Sequence, residues 1–460
     1  MNAMELDRVY DSYLRFHARF APHFGRREAR ERSEQYMRGL LVQRSERRSA
    51  ENLAEAIPGA TPRTLQLFLS DAPWSSGPVI DELQAYVGER LAEAEGTFIV
   101  DETGFKKQGR KSVGVARQYS GTLGKVDNCQ IGVFLTYASA TGHATVDARL
   151  FLPEVWTQDP ARCRAAGVPQ EVAFRTKPAL ALDLLRQARQ QGHLSGHWVA
   201  ADEVYGNSPE FRDGVAALAL WYVADVACDL PVFSEEAPTG LPPYSGRGRR
   251  PVKLRLLPGA TPAQEVQALA AALPESAWQE IEVAEGAQGP RIYRFARQRV
   301  WESREGLPGR ECWLLMRTNR DGEEPRYALS NAPADVPLRR LAQVQTTRWR
   351  IETEFETLKG EVGLDEYEVR SWRGWHHHVA LALLAGAFLL SLQQDWGEKH
   401  APPDAPADCS RAPGSPAPAP LEPSRSARLA RRDSAAQRSR PAEPLQTKAL
   451  THTSPAPHAA

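Results

Sequence analysis

The chain is 460 residues long, 42% of its residues are hydrophobic, and 57 basic residues balance 57 acidic ones at a formal net charge of zero. This length allows two or three domains with hydrophobic cores, and zero net charge means that nucleic-acid binding has to be argued from local clusters of basic residues. The five scattered cysteines include no CxxC pair, which excludes a common zinc motif and a disulfide framework and favours a reducing cytoplasm.

The sequence also predicts that no segment crosses a membrane. The N-terminus has charged residues where a signal peptide needs an apolar stretch. The apolar run at 379–392 is too short to span a bilayer. We therefore expect a cytoplasmic protein.

Residues 1–95 carry helical patterns and the most arginine-rich stretch of the folded part, and we interpret them as a helical DNA-binding domain. Residues 50–70 predict a short helix, a turn at Pro58-Gly59 and a second helix capped by Thr61, which resembles a helix-turn-helix. An ordinary helical hairpin that binds nothing would have the same pattern, so that alternative stays open.

The pattern changes to strands near residue 97 and then alternates between helix and strand. The predicted elements are strands 97–102, 128–139 and 144–153, helix 177–192, strand 197–206, a helix near 208–218 and strand 220–226. This order, βββαβαβ with an acid ending the first and the fourth strand, is the arrangement of the ribonuclease-H-like nucleases. We predict an α/β fold whose ribonuclease-H-like catalytic core, a mixed sheet flanked by helices, begins with residues 96–228.

Three further segments follow this first part of the core. Residues 229–335 contain strand-like pieces and a Pro/Gly/Arg loop, and they predict a β-rich insertion that interrupts the core. Residues 336–395 are predicted to be the C-terminal helices of the core. The Pro/Ala/Ser/Arg-rich residues 396–460 predict a disordered tail.

Two aspartates are candidate metal ligands because each follows an apolar strand. Asp101 follows Phe98-Ile99-Val100, Asp202 follows Val199-Ala200-Ala201, and a glutamate comes directly after each aspartate. Successive strand residues face opposite sides, so Glu102 and Glu203 should point away from what the aspartates face. Converging carboxylates can hold two Mg²⁺ ions for phosphodiester chemistry, whereas a single acid at a strand end is more often solvated or caps a turn.

The third candidate acid is Glu352, in a helix predicted around residues 346–364. Arg348, Glu352 and Lys359 fall on one helix face, and Glu354 lands on nearly the opposite side. Arginine and lysine beside a metal-binding acid suit a site that holds DNA phosphates. A solvated Arg-Glu pair with no such role has the same spacing.

The pattern Arg348-x₃-Glu352-x₆-Lys359 resembles the C-terminal signature of the DDE transposases of bacterial insertion sequences. Many relatives have a tyrosine three residues before the arginine, and this chain has Gln345 there. The resemblance extends to about residue 395, through the segments FAPHFGRREARERSEQYMRGLL (20–41), IVDETGFKKQG (99–109), AADEVYG (200–206) and GLDEYEVRSWRGWHHH (363–378).

The resemblance implies that Asp101, Asp202 and Glu352 are the metal-binding triad, with two Mg²⁺ ions as cofactors and Mn²⁺ as a substitute. It places the protein in the branch with a β-rich insertion, whose members excise their element through a DNA hairpin and join it to a target by cut-and-paste transposition. The implied partners are the terminal inverted repeats of the element and the target DNA. A homo-oligomer on paired ends, associated with the nucleoid, is expected.

Further basic residues are weaker candidates for DNA contacts. Lys106 and Lys107 lie in a Gly-bounded turn after Asp101, where a charged hairpin tip is about as good an interpretation. The arginines of the loop between glycines could clamp phosphates or remain solvated; they are Arg247, Arg249 and Arg250. The consecutive His376, His377 and His378 diverge around a helix, so we interpret them as helix-surface or packing residues and not as metal ligands.

Two other functions share much of this pattern. One is a transposase-derived DNA-binding or regulatory protein without activity, which the intact acids argue against. The other is a ribonuclease-H-like nuclease that cuts without strand transfer.

Overall fold

A computed structural model of the chain describes residues 3–43, 47–121, 124–244, 246, 249–286 and 289–400. The described residues belong to one compact unit. The tail predicted over 396–460 lies outside them except for its first five residues, which continue the last helix.

Helices make up the N-terminal part, recur between the strands and follow the last strand. Their bounds are α1 Ala3–Phe20, α2 Arg27–Val42, α3 Ala50–Ala56, α4 Pro62–Ser70, α5 Ser76–Leu91, α6 Glu154–Thr157, α7 Pro160–Ala165, α8 Lys177–Gln191, α9 Glu203–Gly206, α10 Pro209–Ala217, α11 Val266–Ala271, α12 Leu338–Thr347, α13 Trp349–Val362 and α14 Trp372–His400. Short 3₁₀ turns cover Ala21–Phe24 and Glu275–Ala277.

The strands alternate with these helices from Thr97 onward. Their bounds are β1 Thr97–Lys106, β2 Ala116–Ser120, β3 Lys125–Ser139, β4 Gly142–Phe151, β5 Trp198–Ala201, β6 Trp221–Val226, β7 Pro231–Phe233, β8 Thr239–Gly240, β9 Arg255–Leu256, β10 Gln264–Glu265, β11 Gln279–Gly286, β12 Gly289–Arg304, β13 Leu307–Thr318 and β14 Arg326–Ser330.

A mixed sheet of twelve strands runs through the described residues, which confirms the predicted α/β class. Its central part has the order β4-β3-β1-β5-β6, in which β1, β5 and β6 are parallel and β3 is antiparallel to β1 and β4. The predicted order βββαβαβ is found with additions: β2 forms in the Gly-rich stretch and pairs with β3, and the short helices α6, α7 and α9 also appear. The strand predicted over 197–206 ends at Ala201, because Asp202 caps α9.

The segment 229–335 contains β7 to β14; β8 and β9 form a separate two-stranded sheet, and the other strands continue the central sheet. β14 pairs with β6, β13 with β14, and β12 with β13, each time in antiparallel register. β14 therefore lies next to β6, and β6 separates it from β5 and β1, the strands of the two candidate aspartates.

The predicted helical pair of residues 50–70 is present as α3 and α4. Thr61 caps α4 through a capping box with Thr64, and Gly59 has the positive φ that its turn requires. Helix α4 packs against α2 and α14, so its inner face is part of the core. Arg63, Gln66 and Leu67 form its exposed side, and DNA binding by this face stays a prediction.

Helix α14 is the central helix of the core and packs against α2, α4, α5, α13 and β4. Its segment Trp372–Asp395 is long and apolar enough to cross a membrane by length and composition, and 78% of the most apolar window is buried inside the protein. Such burial is typical of the core helix of a globular protein.

A buried ion pair joins α10 to β12, close in sequence to the turn that follows the second aspartate. Arg212 of α10 and Glu302 of β12 are 2% and 1% exposed, and their Nε and Oε1 atoms are 2.9 Å apart. The Tyr222 hydroxyl donates to the same carboxylate, and Arg212 also donates to the Gly206 carbonyl in the turn after Asp202. This network therefore fixes the turn that carries one of the candidate ligands.

Replacing Glu302 by Gln is expected to lower the free energy of unfolding at pH 7 by about 3–5 kcal/mol, because it leaves the Arg212 charge buried and unpaired. Burial alone would raise the pKa of Glu302, but Arg212 outweighs it and the pKa lies below the ordinary value of 4.5. The stabilisation is thus fully present above about pH 4.5 and is lost as the pH falls through the lowered pKa.

Urea denaturation at several pH values measures this effect. Wild type and Glu302→Gln should differ most near neutral pH and converge in acid. Glu275→Gln, which breaks the exposed pair with Arg294, is the matched control and should change stability little. Equal stability of Glu302→Gln and wild type at pH 7 would contradict the structural role of the pair.

Candidate active site

Three parallel strands bring three aspartates to one edge of the sheet. Val100 of β1 lies opposite Ala201 of β5, and Ala201 lies opposite Ala224 of β6. The next residue on each strand is an aspartate, so Asp101, Asp202 and Asp225 form a row across neighbouring strands. This register brings the two aspartates that the sequence singled out side by side.

Asp101 does not end its strand, contrary to the prediction. β1 continues to Lys106 because its pairing with β3 extends to Lys106 and Cys129, whereas its pairing with β5 stops at Val100. Asp101 therefore lies just beyond the end of the pairing with β5, and the end of that strand leaves space for the Asp101 side chain. Its Oδ1 accepts from the Glu102 amide at 2.7 Å. Burial, and then the charge of Asp202, raise the pKa of Asp101 to about 8.

Asp202 follows β5 directly and caps the one-turn helix α9. Its Oδ1 accepts from the Val204 amide at 2.9 Å. Burial, and then the charge of Glu102, raise the pKa of Asp202 to about 6. Gly206 ends this turn against β6, where a Cβ atom would stand 1.8 Å from the Asp225 carbonyl oxygen. A side chain at this position would push the turn away from the sheet.

Asp225 is the site residue that the sequence analysis missed. It is 17% exposed, and its carboxylate accepts a hydrogen bond from the Gln345 amide at 2.8 Å. Burial raises its pKa, and the bond from Gln345 and the charge of Arg348 oppose that rise. The signal was available, because Val223-Ala224-Asp225 repeats the apolar-Ala-Asp pattern of the β5 end.

Arg348 connects this row of aspartates to the third predicted acid. Its guanidinium lies 3.4 Å from Asp101 Oδ2, 3.7 Å from Asp225 Oδ2 and 2.8 Å from Glu352 Oε1. Arg348 is at the junction of α12 and α13, and Glu352 is one turn further along α13. The Glu352 side chain is 56% exposed and faces solvent. Asp101 and Asp225, by contrast, are mostly buried.

The helix-face prediction for α13 holds for its other members. Lys359 donates to the Thr103 hydroxyl at 2.6 Å, two residues beyond Asp101, and burial lowers the pKa of Lys359.

Glu354, on the other side of α13, points into the core. Its Oε1 accepts from the Thr145 amide at 3.3 Å, and its Oε2 lies 3.6 Å from His143. Arg348, Glu352 and Lys359 are therefore on the side of the aspartates, and Glu354 is not.

The glutamates beside the two aspartates have other surroundings. Glu102 forms an ion pair with Lys177 of α8 and accepts from the Tyr205 hydroxyl at 3.0 Å. Glu203 is exposed in α9. The charge of Glu102 still raises the pKa of Asp202, so the assignment of one acid from each pair to the site stays a prediction.

The weaker basic candidates lie in different environments. Lys106 is exposed at the end of β1, whereas the Lys107 ammonium donates to the Tyr367 carbonyl at 3.2 Å and stands 3.5 Å from the centre of the Tyr367 ring. Arg249 and Arg250 are exposed, and Arg250 lies over the Tyr244 ring. Arg247 lies outside the described residues.

The three consecutive histidines are packing residues, as predicted. His377 contacts the carbonyls of Leu69 and Trp74, and His378 contacts the Tyr36 hydroxyl and the Leu364 carbonyl. They join α14 to the N-terminal helices and diverge from each other. Burial lowers the pKa of His377 to about 4 and that of His378 to about 3.

The donor set at the sheet edge suits a hard divalent cation. Carboxylate oxygens are the ligands that Mg²⁺ takes, and crowded carboxylates with raised pKa values gain most from a cation among them. Within the described ranges, no three His, Cys, Asp or Glu side chains are grouped closely enough to hold a metal ion as they stand. The guanidinium of Arg348 is the positive charge that Asp101 and Glu352 share.

Comparison with known proteins agrees with this arrangement. A sequence model described as DDE superfamily endonuclease matches residues 19–290, more than half of the chain, a range that includes Asp101, Asp202 and Asp225 but ends before Glu352. The probable transposase for insertion sequence element IS701 of Microchaete diplosiphon is 30% identical over 166 residues, which are 35% of this chain and 40% of that relative. The match thus spans less than half of the relative. The chain belongs to the DDE superfamily endonucleases, the family of the DDE transposases.

Proposed function

We propose that the protein is a DNA transposase that excises an insertion sequence and joins it to target DNA by cut-and-paste. Asp101, Asp202 and Glu352 are the proposed catalytic and metal-binding residues, and two Mg²⁺ ions, replaceable by Mn²⁺, are the proposed cofactors. The observation that carries the proposal is the convergence of Asp101 and Glu352 on one positive charge, with Asp202 beside Asp101 in the parallel register.

The proposed core is ribonuclease-H-like. The support is the central order β4-β3-β1-β5-β6, with aspartates on β1 and after β5, the first and fourth strands of the pattern βββαβαβ. The proposed domains are a helical DNA-binding domain at 1–95, the core at 96–228 and 336–395, the β-rich insertion at 229–335 and a tail at 396–460.

In this function, bound divalent ions supply charge stabilisation for the attacking and leaving oxygens of the phosphodiester. Asp101 and Asp202 would hold the cations at the sheet edge, and Glu352 would add a ligand from α13. Arg348 has a planar guanidinium group that fits a phosphate, and it could bind one in place of the carboxylates that it contacts here. Lys359 is held beside β1 by Thr103, where its ammonium can meet the DNA backbone.

The proposed partners are the terminal inverted repeats and target DNA, bound by a homo-oligomer on paired ends in the cytoplasm at the nucleoid. Arg249, Arg250 and Lys106 are proposed DNA contacts because they are exposed. Lys107 is a poorer candidate because its ammonium is occupied by Tyr367.

Mg²⁺ or Mn²⁺ is expected to raise the melting temperature of the protein by a few degrees, because a ligand that binds only the folded state stabilises it by mass action. The rise should be absent from Asp202→Asn and Asp101→Asn. Glu203→Gln is the matched control, since it removes the exposed neighbouring acid. Differential scanning fluorimetry with a cation titration measures the shift, and an equal shift in wild type and Asp202→Asn would place the cation elsewhere.

The experiment that tests the function directly uses a duplex carrying one end of the element, its flanking DNA and a supercoiled target. Excision at the end followed by joining to the target is the expected result with Mg²⁺. Cleavage without joining would favour a nuclease that lacks strand transfer. Binding without cleavage would favour a regulatory DNA-binding protein.

A further inference from the structure

The sheet edge beyond the three aspartates carries two arginines on the inserted strands. Asp225 of β6 lies opposite Ala328 of β14, and Arg326 of β14 lies opposite Arg317 of β13. Residues two apart on a strand share a face of the sheet, so both arginines are on the face of Asp225. The edge therefore changes from acidic on β1, β5 and β6 to basic on β14 and β13.

Neither guanidinium group forms an ion pair with a carboxylate among the described residues, although the charge of Asp225 reaches Arg317. Like charges directly opposite each other on neighbouring strands destabilise a sheet. Arg317 is half-buried and lies over the Tyr293 ring, with 4.9 Å between its guanidinium carbon and the ring centre. Arg326 is exposed beside it. A bound anion that contacts both guanidinium groups would offset their mutual repulsion.

The charges also act together with the site already described. Arg348, Arg317 and Arg326 all oppose the rise that burial causes in the pKa of Asp225. Burial lowers the pKa of Arg317, while the charge of Asp225 opposes that change. The two arginines are therefore close enough to interact electrostatically with Asp225, which also lies near the Arg348 guanidinium.

We propose that Arg317 and Arg326 form a phosphate-binding site that holds one phosphodiester group of a DNA strand next to the catalytic acids. The inference rests on the proposed function and assigns to the inserted strands a task that the acids cannot perform. Guanidinium groups are weakly hydrated planar forks that suit phosphate oxygens. A single phosphate between the two arginines removes their mutual repulsion and fixes the strand beside Asp225.

The test is the salt dependence of DNA binding, measured by fluorescence anisotropy in EDTA with a labelled duplex carrying the element end. Arg317→Met and Arg326→Met remove the charge and retain an unbranched apolar side chain. Arg320→Met is the matched control, because Arg320 is an exposed arginine of the same insertion that is paired with Glu280. Losing one phosphate contact should reduce the slope of log K against log salt by about 0.9.

We expect Arg317→Met and Arg326→Met to bind about tenfold more weakly at moderate salt and to show the reduced slope, with Arg320→Met close to wild type. Their melting temperatures should equal or exceed that of wild type, since each substitution removes one of two facing like charges. A lower melting temperature with unchanged DNA affinity would identify the arginines as structural and overturn the proposal.

Failure of this site can be distinguished from failure of the proposed function. Wild-type cleavage with unchanged slopes in both variants overturns the phosphate site and leaves the transposase function standing. Reduced slopes without wild-type cleavage support the phosphate site and contradict the proposed function. A wild type that does not bind the duplex contradicts both.

Discussion

Cleavage of element-end DNA is expected to fall at least about a thousandfold when Asp101 or Asp202 is replaced by Asn, or Glu352 by Gln, because cation-mediated charge stabilisation is worth several kcal/mol in the transition state. Each substitution removes a carboxylate that could hold a cation and keeps the side-chain size. DNA binding should be retained, because no positive charge is removed. Gel-based cleavage and anisotropy binding on the same protein samples measure the two quantities.

The controls for this prediction are the neighbouring acids. Glu203→Gln lies next to Asp202 and is exposed, and Glu354→Gln lies on α13 but faces the core. Both should cleave within a few-fold of wild type. Normal cleavage by Glu352→Gln would remove Glu352 from the site, and the exposed Glu356 of the same helix would be the next acid to test.

Replacing Arg348 by Met is expected to have opposite effects on cation binding and on cleavage. The substitution removes the guanidinium that Asp101, Asp225 and Glu352 share, so the carboxylates repel one another more strongly. The cation-free protein should therefore melt at a lower temperature than wild type, and Mg²⁺ should raise its melting temperature by more. Cleavage should nevertheless fall about a hundredfold or more, because the phosphate loses its planar partner.

Arg348→Lys distinguishes the two roles of this residue. Lysine keeps the charge near the carboxylates and loses the fork, so it should restore the cation-free melting temperature more than it restores cleavage. A cation-induced shift in Arg348→Met equal to that of wild type would contradict the idea that Arg348 occupies the place of the cation.

Local patterns were sufficient to predict much of the site. The apolar runs before Asp101 and Asp202 mark buried parallel strands, and the helical phase of Arg348, Glu352 and Lys359 separates them from Glu354. These predictions depend on interactions between residues close in sequence, so periodicity captures them. The packing role of the three histidines was predictable for the same reason.

Long-range pairing was not predictable in the same way. The extension of β1 past Asp101 depends on its partner β3, and the incorporation of β12, β13 and β14 into the central sheet depends on β14 meeting β6. Asp225 was overlooked because its importance comes from the register of β5 and β6 and from Gln345, 120 residues away in sequence. Gln345 stands where many relatives have a tyrosine, and here its side-chain amide donates a hydrogen bond to Asp225.

Metal-specific rescue tests whether Asp101 and Asp202 hold the catalytic cations. Asp101→Cys and Asp202→Cys should be inactive with Mg²⁺, which takes oxygen ligands, and should regain cleavage with Mn²⁺, which accepts sulfur more readily. Rescue of both cysteine variants by Mn²⁺, with no rescue of the corresponding Ala variants, is the predicted result. Cleavage by the cysteine variants that is the same with either cation would contradict the account.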